Sequence, residues 1–335
     1  MVGAGSWGTA LARHLSLRGA AVSLWGRDPA LVERIRSTRE NARYLPGLPV
    51  PAEVIVTSDP GEALRAAGVV LVAVPSHGVE DVLARLARAI PDDAVVVSAT
   101  KGIEPRRARR MSELLEEVLP GRPVAVLSGP SFAREVAQGL PAALVVASAD
   151  DETARRLQRG LGTPTLRLYT NRDVVGVEVG GALKNVIAIA TGLSDGMALG
   201  DNARAALITR GLAEIARLGV AMGAQASTFL GLAGLGDLVL TCTGSQSRNH
   251  ALGLRIAGGE SLAAAEGGTS MIAEGVRTAR AALALAGRAG VAMPICAEVA
   301  AVLFDGKPAA EALRSLLSRE PRPEEEPVAG GTSRA

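Results

Sequence analysis

Apolar positions in the first half of the chain form short unbroken runs separated by amphipathic stretches. Val69–Val74 is continuously apolar and Ala94–Ser98 nearly so, the pattern of strands buried on both faces. Ala20–Trp25, Val124–Leu127, Ala143–Ala147 and Thr165–Tyr169 read as further strands. Between them, apolar residues recur at helical spacing in Thr9–Arg18, Gly78–Ala89 and the charged stretch Pro105–Leu119. Asp28 and Pro29 open another helix as N-cap and first-turn proline. This alternation predicts an α/β domain with a doubly wound parallel sheet and right-handed crossovers.

The pattern changes near Thr170. Strand signals fade, and Ala-rich helical periodicity covers Val174–Thr191, Asn202–Met222, Gln246–Ala257, Ser270–Ala289 and Ile295–Asp305. The expected organisation is a nucleotide-binding domain over 1–170, an all-α substrate domain over 171–319, and a disordered tail over 320–335, rich in Pro, Glu and Gly.

Composition narrows the function classes. The 335 residues suffice for two domains, and at 2% aromatic content the cores must be aliphatic. Lys and Arg number 36 against 34 acidic residues, which argues against an electrostatic nucleic-acid footprint. Cys242 and Cys296 cannot form a disulfide framework, and with His14, His77 and His250 they show no metal-ligand spacing. Runs such as Val69–Pro75 fall far short of the ~18 apolar residues that span a bilayer, and no leader pattern stands at the N-terminus. The expectation is a soluble, cytoplasmic protein without metal.

Gly3, Gly5 and Gly8, with Ser6 and Trp7 between them, fit G-x-G-x-x-G and lead into a helix. The first glycine permits the turn, the second lets backbone approach a pyrophosphate, and the third lets helix pack on sheet. About 20 residues on, the next strand ends in Gly26, Arg27 and Asp28. Arg27 suits a 2′-phosphate, which favours NADP over NAD; equally, Asp28 can be a helix cap and Arg27 merely solvated. Only Met1 and Val2 precede the motif, so the natural start is expected several residues upstream.

Further candidates lie where parallel sheets bind ligands, beyond the carboxyl ends of strands. Lys101 follows one such strand, and the Gly129–Ser131 turn follows the next. In the second half, Lys184 comes four residues after Gly180 and three after Gly181. Paired helix glycines imply a close approach, either of a nicotinamide ring or of another helix. A lysine whose pKa is lowered by a second lysine can serve as general acid to a forming alkoxide. Asp237 is a glycine-flanked acid in an apolar stretch, followed by Thr241. Ser247, Arg248 and Asn249 stand near a helix start, a sound phosphate clamp.

In order, the segments GAGSWGTALA, VAVPS, TKGIEP, LSGPSFAREV, GVEVGGALKNVIAIATG, DNARAALITRGLAEIARLG, GLGDLVLTCTG, QSRN and MIAEGVRT resemble the bacterial NAD(P)-dependent glycerol-3-phosphate dehydrogenases from about Val2 to Arg319. The resemblance implies a Rossmann domain, a helical substrate domain, a homodimer, and reversible reduction of dihydroxyacetone phosphate for phospholipid synthesis. By motif position it implies Lys184 as proton donor and acceptor, with Lys101 and Asp237 in the catalytic set. It implies substrate contacts from Lys101, Gly129, Ser131, Lys184, Asp237, Thr241, Ser247, Arg248 and Asn249. It implies cofactor contacts from the Gly3–Gly8 loop, Ser6, Trp7, Arg27, Asp28, Tyr44, Lys101, Ala133, Arg248, Ile272 and Glu274, with NADPH favoured. Two rivals stand beside it. A β-hydroxyacid dehydrogenase-like oxidoreductase would share the helix glycines and lysine, and a non-catalytic dinucleotide-binding module would need only the glycine motif.

Overall fold

The computed structural model describes residues 1–267, 273–321 and 323–324. Ile272, the start of the expected Ser270–Ala289 helix and nearly all of the expected tail lie outside the described residues. The chain forms two compact units. One is Met1–Lys101 with Arg109–Val174; the other is Gly102–Ala108 with Val175–Ala335.

The first unit has strands β1 (Ser23–Trp25), β2 (Ile55–Thr57), β3 (Val69–Val72), β4 (Val95–Ser98), β5 (Val124–Ser128), β6 (Ala142–Ala147) and β7 (Leu166–Asn171). Its helices are α1 (Ser6–Ser16), α2 (Pro29–Thr38), α3 (Pro60–Leu64), α4 (Val79–Leu86), α5 (Met111–Val118), α6 (Ala133–Ala137) and α7 (Asp151–Leu161). β2 pairs with β1, and β3 to β7 pair in sequence order. Val2 sits between β1 and β3 and bridges both in parallel, to Trp25 and Val72. Its N–H donates to Leu71 O at 2.8 Å, and its carbonyl accepts from Ala73 at 2.8 Å. Counting the Val2 segment as the first strand gives the Rossmann strand order.

Alternate residues of the central strands enter different cores. Val70, Val72 and Val96 pack with Leu83 of α4 and Leu114 of α5. Leu71, Val95 and Val97 pack with Leu11 of α1, Ile35 of α2 and Leu157 of α7. The sheet is therefore buried on both faces, which is why its strands read as unbroken apolar runs. One pair departs from the parallel pattern: β5 and β6 are antiparallel, because the short link through α6 returns the chain directly beside β5. The expected Pro105–Leu119 helix begins only at Met111. Before it, the buried Glu104 carboxylate accepts from the N–H groups of Arg106 and Arg107 and turns the backbone. Ile103 and Ala108 then join the core of the second unit.

The second unit is helical: α8 (Val174–Gly196), α9 (Gly200–Ala221), α10 (Asp237–Thr243), α11 (Arg248–Ala257), α12 (Leu262–Gly267), α13 (Glu274–Ala289), α14 (Pro294–Phe304) and α15 (Ala309–Leu317). α8 runs five residues past its expected end and is buried along most of its length. It is long and apolar enough to cross a bilayer, but it is the axis of the helical core, packed among Ile215, Leu238, Leu252 and Val299. Glu214 of α9, 1% exposed, caps α14 by accepting from the N–H groups of Ile295 at 2.7 Å and Cys296 at 3.3 Å. Desolvation pushes its carboxyl up from 4.5 to about 7. Cys242 and Cys296 are free and buried, and desolvation raises both thiols, Cys242 to about 12. Neither is a reactive thiolate.

Candidate active site

In the first unit, the glycine loop divides its work as the motif requires. Gly3 has φ +110°, and a Cβ there would lie 2.5 Å from Ala73 O. A Cβ at Gly8 would run into the Gly3 carbonyl, so the loop must close on α1 without one. At Gly5 a Cβ would meet nothing within 4 Å, leaving open space over the N-terminus of α1. No side chain caps that terminus, and its first turn holds no acid. Trp7 has a buried indole N–H with no acceptor among the described residues. Open space, an uncapped positive helix end and an unsatisfied donor together fit a dinucleotide phosphate.

Arg27 is exposed at the tip of β1, where the sequence placed it. Asp28 caps α2, accepting from Ala30 N at 3.0 Å and Leu31 N at 3.3 Å. Half-buried Tyr44 packs against the same core cluster as Trp7, and the Arg43 guanidinium lies 5.1 Å from its ring centroid. A residue the sequence did not flag holds this region together. Asn41 is fully buried, and its amide donates to Ala4 O at 2.9 Å and Thr9 Oγ1 at 2.8 Å, pinning the glycine loop to the start of α1.

β4 and β5 are parallel neighbours, so Lys101 and Gly129 emerge at the same sheet edge. Lys101 Nζ donates to Gly129 O at 2.6 Å and Ser131 Oγ at 2.9 Å. Gly129 has φ +128°, a backbone that any side chain would strain, and this aims its carbonyl at the lysine. Ala133 opens α6 just beyond.

The second unit gathers another cluster. Lys184 of α8 and Asp237 at the start of α10 form a buried ion pair, 5% and 0% exposed. Lys184 Nζ also donates to Thr241 Oγ1 at 2.8 Å, whose hydroxyl donates to Asp237 O at 2.6 Å. The amine is thus aimed by two oxygens from one turn of α10. The helix glycines have a packing explanation at Gly180: a Cβ there would lie 2.6 Å from Ala233 O, in the π-helical turn Leu232–Gly236 that leads into α10. The glycine lets that turn approach α8 and brings Asp237 within reach of Lys184.

Ser247 caps α11, accepting from His250 N at 3.2 Å. Asn249 Nδ2 donates to Asn185 Oδ1 at 2.8 Å, and its own Oδ1 accepts from Gly275 N at 2.9 Å, in the first turn of α13. Arg248 has surface open to solvent. Desolvation by the surrounding protein nonetheless holds its guanidinium below the ordinary value, while the Glu274 carboxylate pulls it up. Asn185 is the second residue missed; the KN pair was visible beside the lysine, but nothing in sequence alone showed that the asparagine reaches α11. Among the described residues, no three His, Cys, Asp or Glu side chains lie close enough to share a metal ion.

Both halves of the chain resemble known proteins. Residues 1–154 match the family model for the NAD-dependent glycerol-3-phosphate dehydrogenase N-terminus, and 173–314 that for the C-terminus. A Geobacter protein named glycerol-3-phosphate dehydrogenase (NAD(P)+) is 51% identical over 95% of this chain and 96% of its own length. The chain belongs to the NAD-dependent glycerol-3-phosphate dehydrogenase family. Another relative of that name, from Nitratidesulfovibrio vulgaris, is 52% identical over 97% of this chain and 99% of its own. The crystal structure of glycerol-3-phosphate dehydrogenase from Coxiella burnetii superposes with a TM-score of 0.92 at 40% identity, covering 95% of this chain and 98% of that one. Within the family's frame, the glycine loop and Lys101 lie in the part matched to the N-terminal model, and Lys184, Asp237 and the Ser247–Asn249 triplet in the part matched to the C-terminal one.

Proposed function

We propose that this protein catalyses the reversible, NAD(P)H-dependent reduction of dihydroxyacetone phosphate to sn-glycerol 3-phosphate, supplying glycerophospholipid synthesis in the cytoplasm. The observation that carries the reading is the buried Lys184–Asp237–Thr241 cluster. An ammonium held by a carboxylate and a hydroxyl, away from bulk water, is a group prepared to give and recover a proton.

In this reading, the first unit binds the nucleotide. The N-terminus of α1 and the space at Gly5 take the pyrophosphate, with Trp7, Tyr44 and Ala133 nearby. Arg27 meets the 2′-phosphate of NADPH, since Asp28 is engaged as a cap. When bound, the reduced nicotinamide supplies the hydride for the ketone carbon. Lys184 stabilises the negative charge that grows on the substrate oxygen and protonates it. Asp237 and Thr241 keep Nζ aimed. Lys101, oriented by Gly129 and Ser131, is the cationic group of the first unit in this reading. Ser247, Arg248 and Asn249 hold the phosphate, and binding energy far from the reacting carbon orients it. Glu274 is a further cofactor-contact candidate.

A homodimer is part of the same proposal. The helical unit carries an open apolar groove of about 820 Å³, lined by Leu193, Leu207, Val291, Val302, Leu313 and Leu316, that suits a second copy. Sedimentation velocity tests it; a monomer at micromolar concentration would exclude it. The activity is tested by loss of the reduced-nicotinamide absorbance with purified protein, NADPH or NADH, and dihydroxyacetone phosphate. Oxidation that requires the substrate is expected, faster with NADPH. Folded protein that binds NADPH yet oxidises none with this substrate would overturn the proposal.

A further inference from the structure

α11, which carries Arg248 and Asn249, crosses α8, which carries Lys184, backbone against backbone. A Cβ at Gly192 of α8 would fall on the His250 carbonyl, and one at Gly253 of α11 would fall on Ile189 O. The crossing through glycines is close, and Leu252 of α11 packs in the same core as Ile189 and Leu193 of α8. Two side-chain bonds add directional restraints on the angle of that crossing. Asn249 reaches Asn185 at 2.8 Å, and the neighbouring His250 reaches Asp195 through Nε2 at 2.7 Å. Asn185 and Asp195 are ten residues apart on α8, about 15 Å along its axis, with Ile189 and Gly192 between them. Adjacent residues of α11 therefore grip α8 on opposite sides of the crossing point.

The Asp195 anchor is itself braced. Arg204 Nε of α9 donates to both Asp195 oxygens, at 2.9 and 3.0 Å, and Arg204 Nη1 donates to Asp201 at 2.8 Å. The ionised carboxylate only accepts, so Nε2 of His250 carries the proton. Asp195 and His250 are both largely shielded from solvent.

We propose that His250, bonded to Asp195, is a positioning residue that sets the angle of α11 on α8 and so fixes Arg248 and Asn249 relative to Lys184. The inference rests on the reading of Ser247, Arg248 and Asn249 as the substrate-phosphate site. His250 needs no contact with substrate. A displacement of about 1 Å in a positioning group is enough to cost up to about 100-fold in turnover efficiency.

The test is steady-state kinetics on the full chain with dihydroxyacetone phosphate and NADPH. His250→Ala is expected to raise KM for dihydroxyacetone phosphate about tenfold, with kcat and the KM for NADPH changed less than about threefold. His250→Gln, whose amide can donate to Asp195, is expected to recover most of the loss, an outcome a merely space-filling histidine would not give. Asp195→Asn should raise the same KM, and it carries the test if the alanine variant does not fold. Arg248→Ala separates the two readings. If it leaves that KM unchanged, the phosphate site and this inference fall together. If it raises KM while His250→Ala, or Asp195→Asn in its place, leaves it within about twofold, the phosphate site stands and the positioning role is refuted. Equal impairment in His250→Gln and His250→Ala also refutes it.

Discussion

Replacing Glu214 with Gln should make the stability of the protein respond differently to pH. The Glu214 carboxyl is buried at the N-terminus of α14 and titrates near 7 instead of 4.5, chiefly through desolvation. Between these values the folded chain keeps a proton that the unfolded chain has released. Stability contributed by this group is therefore lost as pH rises from about 4.5 through 7, the direction opposite to that of a salt-bridged carboxylate. The full cost at alkaline pH is about 3 kcal/mol. Gln cannot ionise, so Glu214→Gln escapes that cost. It still accepts from Ile295 N, but it sets an amide group against Cys296 N, at a loss of about 1 kcal/mol. Near pH 5 the two proteins should be similar in stability or the variant slightly weaker. By pH 8 the variant should be the more stable, the gap having moved by roughly 2 to 3 kcal/mol. Urea unfolding followed by circular dichroism at one protein concentration measures this gap at each pH. A gap that stays constant, or moves toward the parent as pH rises, would refute the argument.

Other substitutions address the site. Lys184→Ala should lower kcat by about 10²- to 10⁴-fold while NADPH still binds, as read by quenching of tryptophan fluorescence; near-normal turnover would remove Lys184 from the proton-transfer role. Arg27→Ala should raise KM for NADPH about tenfold and leave that for NADH nearly unchanged, so equal effects on both would make Arg27 a solvated bystander. Asn41→Ala removes both bonds to the glycine loop and should weaken NADPH binding several-fold, with a stability loss of roughly 2 kcal/mol in thermal unfolding. Unaltered cofactor affinity would show that the loop holds its shape without it.

What was legible in the sequence followed from local chemistry. The two-sided burial of the sheet wrote β3 and β4 as unbroken apolar runs, and a motif as local as Gly3–Gly8 exposes its own steric demands. The misreadings came from contacts that periodicity does not show. The charged run after Pro105 has helical composition, yet Glu104 bends it, and burial of Ile103 and Ala108 elsewhere outweighs propensity. The β5–β6 reversal depends on pairing rather than pattern. In the candidate site, Lys184 and Asp237 could be singled out one at a time, but their pairing, 53 residues apart, could not be read from spacing. Asn41 and His250 belong to ordinary surface-favouring residue types, and only their partners distinguish them.

The segment Gly102–Ala108 has a consequence for recombination. It lies within the N-terminal family match, yet Ile103 and Ala108 are core residues of the helical unit, and Arg288 of α13 donates to the carbonyls of Arg107 and Ala108. A chimera spliced near residue 172, with its first half from this chain and its second from a relative, would import a foreign patch into the relative's helical core. Co-expressing the halves as separate polypeptides would likewise leave each carrying, or lacking, a piece that belongs to the other. The chain passes from one unit to the other at three places, so no single cut separates them.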